Sequence, residues 1–303
     1  MQRSLDPAKV AQKSLDEVRN GLESLTETLS VVGFVTSDDL PSLTYANATQ
    51  QKFTDVGIAY ELRRIARLDL EDAIIEVNEN SDIHGLFVYL PVFNNEQDVI
   101  LRNLVDYRKD IEGGGQYWTR KLYDNDRFAA ADDQTKKALL PCTPLAIIKM
   151  LTEAGVYLAN TELPVSDRIV TIFNRSEVVG RPLAAMLSND GARVYSFDIN
   201  GPLEFNDGKP AEIDITRHHA LAQSDIVITG VPSENFQKVS AAEIKKDAAC
   251  LNFSFYSNFE EDIATRTGIF IPRIGPLTVA MCMRNTLRLY KNFHQSQTRD
   301  HSR

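Results

Sequence analysis

A turn at residues 174–182, NRSEVVGRP, joins a β-branched run to a helix and carries the residue types of an anion site. Backbone N–H groups at a helix N-terminus point toward an anion, and the helix dipole adds to the attraction. Gly180 permits close backbone approach, while Arg175 and Ser176 add donors for a phosphate group. The fingerprint G-x-G-x-x-G is absent, yet the segment has the order of a nucleotide-binding unit.

Asp198 ends the apolar run that follows this helix, 24 residues after Asn174. This is near the spacing at which an acid accepts hydrogen bonds from the ribose hydroxyls of an adenosine. A carboxylate there repels the 2′-phosphate of NADP, so the sequence predicts a preference for NAD. The alternative is an ordinary strand–turn–helix with a solvated aspartate.

Two acids, Asp110 and Glu112, stand two residues apart immediately before three glycines at 113–115. On a strand or an extended loop, residues at this spacing share a face. The pair either holds N–H donors of a ligand or caps the turn into the glycines. The sequence does not separate the roles of the two acids.

The cysteines and histidines predict neither a metal site nor a nucleophile. Cys142, Cys250 and Cys282 are far apart and form no C-x-x-C pair, which argues against zinc and against a disulfide framework. None of the five histidines has the Asp or Ser arrangement of a catalytic base. Each is therefore expected to be solvated, His84 and the tail residue His301 included.

The overall composition limits the function. The chain has 303 residues, of which 43% are hydrophobic, enough for one large domain or two of ordinary size. Its net charge of −9 argues against a general nucleic-acid or anionic-membrane binder, which needs a basic face. No apolar run approaches the ~20 residues of a membrane span, and the first residues lack a secretory signal. We expect a cytoplasmic protein without nucleic-acid or membrane partners.

Strands and helices alternate along the chain. In the first half, helical spacing predicts helices at 6–27, 43–57 and 70–81. Short apolar runs predict strands between and after them, at 30–37, 59–65 and 84–91. In the second half, helices are predicted at 141–155, from about Arg181, at 240–247 as an exposed helix, and at 277–293. The intervening strands are predicted at 168–173, 192–198, 224–231 and 248–254, with a polar surface insertion at 200–219.

This alternation implies an α/β fold with parallel sheets and helices on both faces. The economical architecture is two α/β domains around a cleft, the second with a Rossmann-type parallel sheet. We expect the first domain at 1–145, completed by a C-terminal helix at 277–303 that packs onto it. The second domain is expected at 146–276.

Several motifs occur together in a specific order: S-x-x-Y at 42–45, HGLFVYLPV at 84–92, KDIEG at 109–113, PCTP at 141–144, NRSEVVGRP at 174–182, SDIVITGVP at 224–232 and GPLT at 275–278. From about residue 30 to 293 the chain resembles the methylenetetrahydrofolate dehydrogenase/cyclohydrolase enzymes. Asp198 after VYSF, the phrase VITGVPSEN, and Asn174 where most members have glycine resemble the monofunctional NAD-dependent branch of fungi.

The resemblance implies NAD-dependent oxidation of 5,10-methylenetetrahydrofolate to 5,10-methenyltetrahydrofolate by hydride transfer, with NAD as cofactor and a homodimer as assembly. It places folate on the first domain and NAD on the second. The implied catalytic residues are Tyr45, which stacks on the folate, Thr49, Asp110 and Glu112. The implied folate-binding residues are Ser42, Tyr45, Tyr89, Asp110, Glu112 and Pro276. The implied NAD-binding residues are Asn174, Arg175, Ser176, Val179, Gly180, Asp198, Gly230, Val231 and Pro232.

The chain departs from the family pattern at the folate side. Bifunctional relatives have a lysine where this chain has Thr49 and a glutamine at Tyr89, and the second acid of the pair is lengthened to Glu112. Because Thr49 does not titrate, we expect no cyclohydrolase activity; a bifunctional enzyme is the alternative. Arg175 has two interpretations, a phosphate contact or a surface ion pair, and its position in the turn favours the first. A dehydrogenase of the amino-acid or shikimate kind and a non-enzymatic NAD sensor are weaker alternatives.

Overall fold

The computed structural model describes residues 5–295, and it divides into two compact units. One, the seven-strand unit, contains residues 5–13, Thr119–Asp126 and Pro141–Thr278. The other, the three-strand unit, contains Ser14–Trp118, Arg127–Leu140 and residues 279–295. The predicted class, α/β with parallel sheets, is confirmed. Within the described residues, no helix combines the length and the apolar character needed to cross a membrane.

The α-helices are α1 Pro7–Glu23, α2 Leu40–Val56, α3 Leu70–Glu79, α4 Gln97–Leu104, α5 Gln116–Tyr123, α6 Cys142–Glu153, α7 Gly180–Asn189, α8 Arg217–Gln223 and α9 Gly275–Leu289. Short 3₁₀ turns occupy Ala241–Glu243 and Glu261–Thr265, and a π-helical turn, Tyr290–His294, follows α9. The strands are β1 Ser30–Val35, β2 Ala59–Arg64, β3 Gly85–Val88, β4 Phe128–Ala130, β5 Asp133–Lys137, β6 Ile169–Phe173, β7 Arg193–Asp198, β8 Gly201–Asn206, β9 Lys209–Glu212, β10 Ile226–Thr229, β11 Ala249–Asn252 and β12 Ile269–Ile271.

The three-strand unit is built on a parallel sheet in the order β2-β1-β3. Val31 in the central strand lies opposite Tyr60 of β2 and Gly85 of β3. All of β3 and nearly all of β1 are buried, as the continuous apolar runs of a parallel sheet require. The core on one side joins Val32 and Phe34 of β1 to residues of α3 and β3.

The seven-strand unit has the strand order β12-β11-β10-β6-β7-β8-β9, in which the five strands β12, β11, β10, β6 and β7 are parallel and the last two are antiparallel. From β6 the chain first adds β7 on one side and later adds β10 on the other. The strand order therefore reverses at β6. In open α/β sheets a ligand binds beyond the carboxyl ends of the strands at such a reversal.

One sequence prediction in this unit is wrong, and a second segment has more regular structure than was predicted. Residues 240–247 form no exposed helix, because the chain leaves the 3₁₀ turn at Ile244 in an extended conformation and Ile244 is 1% exposed. The insertion at 200–219 contains the hairpin β8–β9, which extends the sheet, followed by the start of α8. Asp207 and Gly208, both at positive φ, supply the turn that such a two-residue hairpin needs.

Residues near the C-terminus help to bury a histidine that was expected to be solvated. His84 is buried rather than solvated, and its ring packs edge-on against Tyr290 and His294. Within the three-strand unit, Asn285 of α9 donates to the carbonyl groups of Ile111 and Leu140, both at 3.1 Å, so this part of α9 packs against the segments that contain them. The predicted tail residues 296–303, which include His301, lie outside the described residues.

Candidate active site

Three tyrosines of the three-strand unit meet at its proposed folate side. Tyr45 lies on α2 and is 49% exposed, and its ring meets that of Tyr89 edge-on, with centroids 6.0 Å apart. The Tyr89 hydroxyl shares a 2.8 Å hydrogen bond with that of Tyr60. We call Tyr45, Tyr60 and Tyr89, with Thr49 beside them, the phenol cluster. The exposed Tyr45 ring beside the half-buried Tyr89 ring is suited to contact an aromatic ligand.

Helix α2 holds Tyr45 in place because both of its ends are fixed. Asp39 caps the N-terminus by accepting a 2.8 Å hydrogen bond from the amide of Ser42. The helix ends at Gly57, which has φ 99°, a value that favours glycine. Ser42 itself is half-buried in the first turn of α2, one helical turn before Tyr45.

Tyr60 was not predicted from the sequence, and it depends on Gly33 at the centre of β1. A Cβ atom at Gly33 would lie 2.1 Å from the Tyr60 hydroxyl oxygen, so only glycine leaves room for this ring. Tyr60 is 7% exposed. A glycine inside an apolar strand often marks a close approach, so Gly33 was the available signal.

Thr49 lies four residues after Tyr45 on the same face of α2 and is 1% exposed. Its hydroxyl is near enough to those of Tyr45 and Tyr89 to oppose the rise of their pKa values. It nevertheless forms no hydrogen bond of normal geometry with any residue between 5 and 295. The position at which the resemblance implies a lysine in bifunctional enzymes is therefore a buried, uncharged group here.

The phenols of this cluster stay protonated at neutral pH. Burial is the main cause: it raises the pKa of Tyr89 to about 12 and the pKa values of Tyr45 and Tyr60 further. Glu112 and the buried Cys282 add smaller increases to all three. The structure thus brings Glu112 and Cys282 to the cluster. A protonated phenol donates a hydrogen bond and does not act as a base.

The structure gives Asp110 the capping role that the sequence left open. Its two carboxylate oxygens accept hydrogen bonds from the amides of Gly113, at 3.0 Å, and Gly115, at 2.8 Å. Asp110 is 5% exposed, and burial raises its pKa although the glycine amides oppose the rise. With both oxygens bound to the turn, its main contact is to the protein itself.

Glu112 differs from Asp110 in its hydrogen bonding and in its exposure to solvent. Its carboxyl group forms no hydrogen bond within the described part of the chain, and the side chain is partly accessible. Burial, followed by the nearby Asp110 carboxylate, raises the pKa of Glu112 to about 8, against an opposing effect of Arg102. At neutral pH a large share of Glu112 is protonated and can donate as well as accept. Geometry therefore separates two acids that the sequence could not.

In the seven-strand unit, Asn174 ties together the two strand ends at the reversal of strand order. Its amide nitrogen donates to the Gly230 carbonyl after β10, at 2.8 Å, and its oxygen accepts from the amide and hydroxyl of Ser176. A Cβ at Gly180 would lie 2.1 Å from the Asn174 carbonyl oxygen, which is the close approach predicted for this glycine. We call residues 174–180 the β6 turn.

The β6 turn fits an anion such as a nucleotide phosphate. The Ser176 hydroxyl accepts from the amides of Val179 and Gly180, at 3.3 and 3.4 Å, and so orders the start of α7. The amides of Glu177 and Val178 are on exposed residues and donate to no group among residues 5–295. Two free N–H groups at a helix N-terminus are suitable donors for a phosphate.

Arg175 forms an ion pair rather than reaching over the turn. Its guanidinium contacts the Asp198 carboxylate at 3.1 Å and also donates to the Ser196 hydroxyl and to the carbonyls of Ser196 and Gly201. Asp198 ends β7 and is half-buried, as an acid that meets a ribose would be. The structure thus brings Arg175 and Asp198 together in an ion pair, although the sequence favoured a phosphate contact, and with Arg175 11% exposed the pair is not on the surface.

The remaining predicted site residues lie directly after β10 and at the start of α9. Val231 donates its amide to Asn258 at 2.8 Å, while Pro232 is exposed after β10. Gly230 packs under Phe253, whose ring would be 1.8 Å from a Cβ at this position. Pro276 is exposed in the first turn of α9 and belongs to the seven-strand unit, unlike the other predicted folate residues.

Two family models match the chain. The catalytic domain of tetrahydrofolate dehydrogenase/cyclohydrolase matches residues 5–112, and its NAD(P)-binding domain matches residues 141–294. The chain belongs to the tetrahydrofolate dehydrogenase/cyclohydrolase family. The resemblance predicted from the motifs is therefore confirmed.

The similar proteins cover nearly the whole chain. A methylenetetrahydrofolate dehydrogenase [NAD(+)] of Dictyostelium discoideum is 42% identical and covers 95% of this chain and 94% of its own length. The protein of the same name from Saccharomyces cerevisiae is 38% identical, with coverages of 97% and 98%. The solved structure of the NAD-dependent 5,10-methylenetetrahydrofolate dehydrogenase from Saccharomyces cerevisiae matches with a TM-score of 0.87 at 35% identity, covering 96% of this chain and 98% of that one.

Proposed function

We propose that this protein oxidises 5,10-methylenetetrahydrofolate to 5,10-methenyltetrahydrofolate with NAD as hydride acceptor. The observation that carries the proposal is the similarity, over nearly the full length of both chains, to relatives named for this NAD-dependent activity. The position of Asp198 at the end of β7 supports the choice of NAD, because an acid there can accept ribose hydroxyls.

We assign the folate to residues 1–145 together with 277–303, and NAD to residues 146–276. On the folate side, Tyr45 and Tyr89 form an aromatic surface, and Glu112, whose pKa is raised to about 8, offers both a donor and an acceptor to the substrate at neutral pH. Ser42 and Asp110 belong to this side, and the family resemblance also implies a folate contact for Pro276. On the NAD side, the β6 turn binds phosphate, Asp198 binds the ribose, and 230–232 approach the cofactor through backbone.

The reaction needs little acid–base work from the protein. The carbon that loses hydride lies between two nitrogens, whose lone pairs stabilise the cation that forms. NAD, when bound, supplies the acceptor for the hydride. The residues of the chain must hold the substrate in a productive orientation and exclude water. A phenol cluster without a charged amine is suited to this task.

Hydrolysis of the methenyl product is the activity of the bifunctional alternative, and it requires a positioned group that exchanges protons. Thr49 provides a buried hydroxyl that does not titrate, and the neighbouring phenols stay protonated. The relatives named only as NAD-dependent dehydrogenases also favour the monofunctional assignment. We therefore propose a dehydrogenase without useful cyclohydrolase activity.

We further propose that the protein acts as a homodimer in the cytoplasm. The family resemblance supports the dimer. The cytoplasmic assignment is supported by three free cysteines, all buried, which suit a reducing compartment. Light scattering on the purified protein measures the mass, and a monomer at micromolar concentration would contradict the first statement.

The decisive experiment is a spectrophotometric assay of methenyltetrahydrofolate formation, run with NAD and with NADP. We expect turnover with NAD and a much lower kcat/KM with NADP. A protein that binds NAD but turns over no folate would be the NAD sensor. Turnover of an amino acid or shikimate with NAD, and none of the folate, would favour a different dehydrogenase.

A further inference from the structure

A cavity of about 530 Å³ lies at the amino ends of strands β11 and β12 in the seven-strand unit. Because β6, β10, β11 and β12 are parallel, this edge of the sheet is opposite to the edge that carries the β6 turn. The volume is within the range of sites that hold small molecules, roughly 300–1,000 Å³. We call it the amino-edge cavity, and its wall consists of Ala241, Ala242, Lys246, Asp247, Ala264, Thr265, Arg266, Thr267 and Gly268.

Backbone hydrogen bonds hold the two sides of this cavity together. The amide of Asp247 donates to the Arg266 carbonyl at 2.9 Å, and the amide of Gly268 donates to the Ala248 carbonyl at 3.1 Å. A Cβ at Gly268 would lie 2.8 Å from the Asp247 carbonyl oxygen, so the lack of a side chain permits this close approach. The wall is therefore formed before any ligand binds, which lowers the cost of binding.

Two cations on the wall have no ion-pair partner in the described part of the protein. Lys246 and Arg266 are exposed, and their side chains form no ion pair or hydrogen bond with any residue between 5 and 295. The adjacent Lys245, by contrast, contacts Asp225 at 2.6 Å. Asp247 supplies the single carboxylate of the wall, so the lining is net positive in a chain of net charge −9. A local excess of positive charge favours an anionic ligand.

Thr267 adds a polar group that the fold leaves unused. It is 6% exposed, and its hydroxyl has no hydrogen-bond partner among the residues that the structure describes. The nearby Thr265 hydroxyl, in comparison, donates to the Asp262 carbonyl at 2.7 Å. A buried hydroxyl without a partner requires an explanation, and a ligand oxygen in the cavity would supply the partner.

We propose that the amino-edge cavity binds a small organic phosphate. Lys246 and Arg266 contact the phosphate group through charge-assisted hydrogen bonds, and the Thr267 hydroxyl donates to one of its oxygens. The cavity is larger than a phosphate ion alone requires, and its three alanine side chains leave space for the organic part. Asp247 accepts a hydrogen bond from a hydroxyl group of that part. This site uses none of the residues assigned to folate or to NAD.

Calorimetry with ribose 5-phosphate tests the proposal, with NAD present at saturation so that the β6 turn is occupied. We expect wild type to bind one ribose 5-phosphate. The double variant Lys246→Met, Arg266→Met should bind it at least roughly 10-fold more weakly, because hydrogen bonds to charged groups are lost. Lys238→Met is the matched control and should bind like wild type, since Lys238 is exposed, forms no ion pair among residues 5–295 and lies outside the cavity wall.

A second variant, Ala264→Leu, fills the cavity without changing its charge. Ala264 is exposed, so the larger side chain leaves the core intact, and binding of ribose 5-phosphate should be lost. Circular dichroism checks that each variant is folded.

Three results would overturn the proposal. The first is no binding of ribose 5-phosphate to wild type at millimolar concentration. The second is unchanged affinity in the double variant or in Ala264→Leu. The third is inorganic phosphate that binds as tightly as ribose 5-phosphate, which would limit the site to the ion alone. Turnover of methylenetetrahydrofolate with NAD by wild type tests the proposed function separately.

Discussion

The β6 turn and the phenol cluster satisfy their polar groups in different ways. At the turn, Asn174 and Ser176 bond to each other and to nearby backbone, and Arg175 uses two carbonyls and a carboxylate. In the phenol cluster, Thr49 has no hydrogen-bond partner among residues 5–295, and the neighbouring Glu112 carries a raised pKa.

This difference suggests a division of work between the two regions. A region whose side chains are fixed by backbone is rigid before its ligand arrives, which suits recognition of an invariant cofactor. A region with unpaired buried groups keeps part of its hydrogen-bonding capacity for the substrate. The following predictions test that division, from the largest effect to the smallest.

The absence of hydrolysis is the largest expected effect. Because Thr49 is buried and uncharged, we expect the protein to lack the ~10²–10⁴-fold acceleration that a positioned acid–base group gives. Purified protein is mixed with methenyltetrahydrofolate, and its absorbance is followed against the buffer rate. Decay well above the buffer rate would contradict the prediction. Lys52→Met would then show whether the exposed Lys52, seven residues beyond Tyr45, has taken over.

Gly33→Ala should damage the phenol cluster through overpacking. The new Cβ would lie 2.1 Å from the Tyr60 hydroxyl oxygen, so Tyr60 must move, at about 1–3 kcal/mol in the free energy of unfolding. Denaturant unfolding measures the loss. Gly275→Ala is the matched control, because a Cβ there meets no atom within 4 Å. Equal losses in both variants would show that the slot for Tyr60 is not tight.

Tyr45→Ala should weaken folate binding and leave NAD binding unchanged. The ring is half exposed, so its loss should cost little stability, while an aromatic contact contributes about 0.5–1.5 kcal/mol beyond the buried area. The KM for the folate should rise, and the Kd for NAD, measured by calorimetry, should stay constant. A variant that unfolds, or that loses NAD affinity alone, would mean that Tyr45 is only a packing residue.

Tyr60→Phe should show whether the buried phenol orients Tyr89. It removes the 2.8 Å hydrogen bond at nearly constant volume, at roughly 0.5–1.5 kcal/mol. We expect a higher KM for the folate with NAD affinity intact. Tyr157→Phe removes a 2.8 Å bond to Asp190 in the seven-strand unit and serves as the control. If both variants lose stability alike and neither changes KM, Tyr60 has a purely structural role.

The smallest expected effect is a pH dependence of stability from Glu112. Its pKa is raised in the folded protein from 4.5 to about 8, so the folded state binds more protons than the unfolded state. The contribution to stability is complete below pH 4.5 and is lost as pH rises through about 8. Glu112→Gln should lose less stability than wild type between pH 6.5 and 8.5. Parallel profiles for the two proteins would place Glu112 in contact with solvent.

The β6 turn could be predicted from the sequence because its parts are local. A β-branched strand, a turn with Gly180 and an acid at Asp198 occur within 30 residues, and each follows from backbone geometry. The ion pair of Arg175 was harder to predict, since one of its anchors is the Gly201 carbonyl, in a segment expected to be a surface insertion. The Asp207–Gly208 pair was a usable hairpin signal there.

The phenol cluster could be predicted only in part. Tyr45 and Thr49 share one helix face, so their proximity follows from helical spacing. Tyr60 and Tyr89 come from different strands, and the register that makes them meet is a tertiary property. The two roles of Asp110 and Glu112 likewise depend on which one the glycine turn binds. Only the folded structure shows this register and shows which of the two acids the turn binds.

The hairpin β8–β9 also bears on how the protein behaves at high concentration. Its outer strand, Lys209–Glu212, includes Pro210, has all four of its residues exposed, and forms one edge of the seven-strand sheet. A lysine and a proline on an edge strand discourage another chain from adding to the sheet. Shortening this hairpin would uncover β7 and remove the Gly201 carbonyl from Arg175. Resistance to aggregation and the anchoring of Arg175 therefore depend on the same short segment.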